Sequence, residues 1–86
     1  MPEISRFFGI IIKMFFRDHN PPHFHAEYQS YKAIFSIETG QMIQGDIRQK
    51  KSALITAWTI IHNKELMKNW NALVEGCPAT TIDPLK

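Results

Sequence analysis

His19, His23 and His25, three of the chain's four histidines, lie in the single stretch Asp18–Glu27, with a carboxylate at each end and Pro21-Pro22 between. Imidazole is the one side chain whose unperturbed charge change falls near neutral pH, so a group of rings can carry protons, ligate a metal or grip a phosphate. Both prolines lack an amide donor and hold φ fixed, which makes the segment a stiff turn. On a strand after it, His23 and His25 are two apart and leave the same face. One chemistry that fits is metal-independent cleavage of a phosphodiester by its own 2′-hydroxyl. One histidine takes the hydroxyl proton, another protonates the leaving oxygen and a cation steadies the phosphate, each acid–base role contributing about 10²–10⁴-fold in rate. His19, His23, His25, Asp18 and Glu27 are the catalytic candidates, and Arg6, Arg17 and Lys32 the cations. No cofactor is required.

Two other readings stand beside this one. His23 and His25, closed upon by His19 or Asp18, form a three-ligand nitrogen and oxygen set for a metal. It is placed behind proton chemistry because His-x-His is common by chance, and no helical His-Glu-x-x-His or further Cys/His pair backs it. Histidine, asparagine and proline are also ordinary turn residues, so the stretch can simply present hydrogen bonds to a protein partner. No serine or cysteine nucleophile motif and no glycine-rich phosphate loop is present.

The elements that must position these residues follow from patterning. Phe8–Phe16, rich in β-branched and aromatic residues, reads as one central, mostly buried strand that Asp18–Pro22 stops. From His23 the alternation predicts a hairpin with Gln29-Ser30 as its loop. It pairs Tyr28 with Tyr31, Ala26 with Ala33 and Phe24 with Phe35 on one face, and Glu27 with Lys32, His25 with Ile34 and His23 with Ser36 on the other. Glu27 is thereby near enough to His25 to orient it. A second hairpin at Thr39-Gly40 sets Ile37 opposite Met42 and Ser36 opposite Ile43. Asp46 with Gln49 reads as an N-cap and capping box. Leu54, Ile55, Trp58, Ile61, His62, Leu66, Trp70 and Leu73 make a helical stripe whose long step predicts a break near His62-Asn63. Gly76 and Pro78 end it. The expected fold is α+β, a three- to four-stranded antiparallel meander followed by one long or two short helices packed on one face. Ile34 and Ile43 then share the histidine face and need cover, either from the tail with Ile82 and Leu85 or from another subunit.

Composition narrows the function classes. The 86 residues suit a single domain, 1–86, and 44% hydrophobic with 12% aromatic content is that of a folded chain. Cys77 alone permits neither an internal disulfide nor a thiolate zinc site. With no signal segment and no apolar run approaching the ~20 residues a membrane helix needs, a cytoplasmic location is expected. A net charge of +2 with scattered cations argues against duplex binding but leaves RNA open. His62 reads as a core or capping residue, and Trp58 and Trp70 as packing.

The strings Arg6-Phe7-Phe8-Gly9-Ile10, Met14 and Asp18-His19-Asn20-Pro21-Pro22-His23-Phe24-His25-Ala26-Glu27-Tyr28 resemble a bacterial family of small proteins built on a domain of unknown function. The similarity continues more weakly through Thr39-Gly40, Gly45-Asp46, Trp58, His62, Leu66 and Trp70. Its hallmark positions here are Arg6, Asp18, His19, Asn20, Pro21, Pro22, His23, His25 and Tyr28, which adds Tyr28 to the residues expected to contact substrate. Arg17 and Gln29-Ser30 depart from the pattern, making the rim more positive. The resemblance implies a toxin-like member of a toxin and antitoxin module, with a cognate small protein as partner; RNA as substrate is the reading of the histidines themselves, no membrane contact is expected, and homo-oligomers are left open. A non-enzymatic module docking its partner through the histidine face is the alternative.

Overall fold

The computed structural model describes residues 3–86. Five antiparallel strands form one sheet in sequence order: β1 (Glu3–Phe7), β2 (Ile10–Lys13), β3 (His23–Tyr28), β4 (Tyr31–Ser36) and β5 (Met42–Asp46). Two helices follow, α1 (Gln49–Ile61) and α2 (Asn63–Val74). This is the expected α+β meander with C-terminal helices, one strand richer.

The extra strand comes from Phe8–Phe16, which is not continuous. Phe8 and Gly9 both have positive φ, 50° and 78°, the requirement of a tight primed hairpin turn, and they fold β1 back on β2. The apolar run hid this turn, because Phe8 is an unusual residue for it. β3 and β4 pair in the register that alternation predicts, from His23 opposite Ser36 to Tyr28 opposite Tyr31. The second hairpin differs. Ile37 is fully buried and donates its N–H to the Pro22 carbonyl, so it extends the β3–β4 ladder and faces no residue of β5. Met42 therefore lies opposite Phe35 and Gln44 opposite Ile34, with Ile43 unpaired between them. Gly45, at φ +90°, crosses so close to the Lys32 carbonyl that any side chain would collide with it.

Asp46 belongs to β5, opposite Lys32, and does not cap the helix; α1 starts after Arg48 with no side-chain cap. A missing cap costs about 1 kcal/mol. Burying Trp58 and Ile55 contributes roughly 1.5–3 kcal/mol each, so packing outweighs it. Trp58 packs tilted against Phe7 and edge-on against Phe24, which puts the helices over the face that carries Ile10, Ile12, Ala26 and Phe35. The break falls at His62, and it turns Ile61 out of the stripe to 64% exposure. α2 ends in a glycine-type cap, with Gly76 N–H on Leu73 O and Cys77 N–H on Ala72 O.

The tail follows the helix side. Ile82 is buried and donates to Ile4 O, the Trp58 indole N–H donates to Asp83 O, and Asn69 holds Thr80 through both ends of its amide. Of the two covers expected for the histidine face, the tail is therefore not one. Among the described residues no helix is long and apolar enough to cross a membrane.

Candidate functional site

The turn between β2 and β3 returns Asp18 to the strand that it precedes. Arg17 N–H bonds Leu73 O at the end of α2, which anchors the turn to the helix layer. The Asn20–Pro21 peptide is cis, and Pro22 enters the β3–β4 ladder through its carbonyl. Asp18 Oδ2 then stands 2.9 Å from His23 Nε2 and 3.3 Å from His25 Nε2. One carboxylate oxygen thus serves two imidazoles on neighbouring positions of one strand face.

Each member is held from outside the cluster. His23 Nδ1 is 2.6 Å from Pro21 O, and since a carbonyl only accepts, this nitrogen carries the hydrogen. The His23 ring is 4% exposed and packs on Trp70, centroids 5.2 Å apart. His25 is 30% exposed, with its ring edge-on to Phe15 at 4.7 Å. Asp18 Oδ1 accepts the His19 backbone N–H at 2.9 Å, which leaves Oδ2 for the rings. Burial by itself would raise the Asp18 carboxyl. The His19 N–H, the hydrogen bond from His25 and the attraction of His23 outweigh it and hold the group below the ordinary carboxylate range.

Of the sequence candidates, Asp18, His23 and His25 come together. His19 lies on the rim, 87% exposed, its Nδ1 3.1 Å from Asp18 Oδ1. Glu27 does not orient His25; it pairs with Lys13 at 3.1 Å, and Asp18 takes the orienting place. Arg6 is bound by Glu3 through its Nε and Nη2 and is exposed on the far strand. The Arg17 guanidinium lies against Gly76 at the end of α2. Tyr28 is on the other face, packed on the core with Lys51 over its ring. Lys32, in contrast, lines a shallow groove with His25, Glu27, Ile34 and Gln44. Sequence reasoning passed over Pro21 O, Phe15 and Trp70. The carbonyl leaves no trace in residue types, and Trp70 was fully explained by its helical spacing.

The model of a family described as a domain of unknown function (DUF4160) matches residues 9–71. The chain belongs to this family. The matched DUF4160 segment contains the whole Asp18–His23–His25 cluster together with both walls, Phe15 and Trp70. No curated protein and no solved structure matches the chain.

Proposed function

We propose that this chain is the toxin-like member of a bacterial two-protein module, that it works in the cytoplasm, and that it cleaves or binds RNA at the Asp18–His23–His25 centre. The observation that carries the reading is the asymmetry of the two rings. His23 is buried with both nitrogens engaged, so it supports; His25 is part-open beside the Lys32 groove, so it is the ring a substrate meets. Lys32, which makes no ion pair among the described residues, is the cation for a phosphate there.

The charge of the face limits how RNA is held. The cross-strand row Arg6–Ile11–Glu27–Lys32–Asp46 mixes both signs, the row Lys13–His25–Ile34–Gln44 carries a single lysine, and Arg6 and Lys13 are already paired to acids. Few phosphates are neutralised, so binding is short-range and its salt dependence shallow. The test is induction of wild type and of His25→Ala in bacteria, with total RNA followed over time. Growth arrest with RNA loss in wild type alone supports the reading. Equal growth of both overturns it.

A second reading, docking of a cognate protein without chemistry, is favoured by the exposure of Ile43 and Met42 on β5, which lies outermost in the sheet. It predicts no arrest from either chain and retention of the partner by both.

A further inference from the structure

We propose that Asp18 Oδ2, His23 Nε2 and His25 Nε2 bind one divalent transition-metal ion. The site goes beyond the RNA reading and stands whether or not RNA is the substrate. All three atoms lie within 4.8 Å of one another, and the two measured carboxylate–imidazole separations are 2.9 and 3.3 Å. Tetrahedral ligands held about 2.0–2.2 Å from a shared ion are themselves about 3.3–3.6 Å apart, and both carboxylate–imidazole separations lie at or a little under that, so small side-chain shifts seat an ion.

Hydrogen-bond logic points the same way. The hydrogen on His23 Nδ1 is committed to Pro21 O, so in the neutral ring Nε2 carries a lone pair. That lone pair faces Asp18 Oδ2, which also only accepts. Two acceptors at this distance, one of them on a buried ring, need a positive centre between them, which either a proton on Nε2 or a metal ion supplies. A metal ion supplies that centre for His23 and His25 together. The Pro21 carbonyl is then the outer partner that a ligating histidine almost always has, fixing tautomer and ring plane. The His19 N–H plays the same part for Asp18 through Oδ1.

The donor set selects the ion. Two imidazoles and one carboxylate suit zinc, cobalt, nickel or iron(II), whereas magnesium and calcium favour all-oxygen shells. Three protein ligands leave at least one position open, and the part-exposed ligand, His25, also borders the Lys32 groove. Such an ion would supply a Lewis acid beside the groups that the sequence also offers as proton carriers.

The experiment uses full-length protein made without a histidine tag and stripped with chelator. Zinc is titrated in by calorimetry, and cobalt(II) is followed by its visible absorption. The expected result is one ion per chain, a visible cobalt band, and no heat from magnesium at the same concentrations. His25→Ala, at a part-exposed position, lowers zinc affinity by at least about 100-fold, since loss of an outer-shell partner alone costs 10–100-fold. Asp18→Asn, nearly isosteric, does so to a similar or smaller degree, and His62→Ala leaves affinity unchanged. No saturable binding of either ion overturns the proposal, as does binding that survives both His25→Ala and Asp18→Asn. The readout contains no RNA, so failure of the RNA reading leaves this result standing, and the reverse.

Discussion

His62 and Glu65 approach more closely than any imidazole and carboxylate at the β2–β3 turn, 2.6 Å against 2.9 and 3.3 Å, yet they make an ordinary helix-break contact. Glu65 is over half exposed, is one helical turn from His62, and touches one ring. Asp18 is mostly enclosed, belongs to a different element from His23 and His25, and touches both of them through one oxygen. A site is recognised by several groups converging on one atom, each braced from behind. The shortness of a single contact says little, because exposed pairs are worth at most about 1 kcal/mol.

The comparison is broken most sharply by His23→Ala. It removes a buried ring, its bond to Pro21 O and its packing on Trp70, and chemical denaturation should show a loss of about 2–4 kcal/mol. His62→Ala should lose under about 1 kcal/mol in the same assay. Gly45→Ala comes next: it forces a side chain into the Lys32 carbonyl at positive φ, and should lower the melting temperature by an amount equivalent to about 1–3 kcal/mol. Because β4 and β5 frame the groove beside His25, this variant should also weaken metal binding, although it touches no ligand.

Acid titration gives a gentler test. Asp18 titrates lower in the folded chain than in the unfolded one. Its stabilisation is therefore complete above the unfolded carboxylate value and disappears as pH falls through the lower folded value. Metal-free wild type should show this acid limb in its stability curve, and Asp18→Asn should flatten it. Glu65→Gln should be the smallest change of all, within about 0.5 kcal/mol by denaturation.

Side-chain alternation between His23 and Ser36 made the β3–β4 register legible, because a one-residue slip would have exchanged Phe24 and Phe35 for histidine and serine. The break at His62-Asn63 was legible from the overlong step in the stripe. Where two signals share residue types, the reading failed. Gly45-Asp46 serves equally as strand end and helix cap, and only pairing to Lys32 decides it. Phe8 carries a turn in which composition sees a strand. At the site, sequence placed Asp18, His23 and His25 in one short stretch but not on one point, since their meeting depends on how Asp18 returns to β3. It also ranked proton transfer ahead of a metal because His-x-His is common by chance, and spacing cannot show that Pro21 O fixes which His23 nitrogen bears hydrogen.

The His23–Pro21 contact also supplies a reporter. An imidazole hydrogen that is closed off from solvent and held by a carbonyl is slow to trade with water, so it should appear as a sharp, far-downfield proton signal in nuclear magnetic resonance. Occupancy on the opposite nitrogen of that ring would move the resonance without anyone having to know what the domain acts upon.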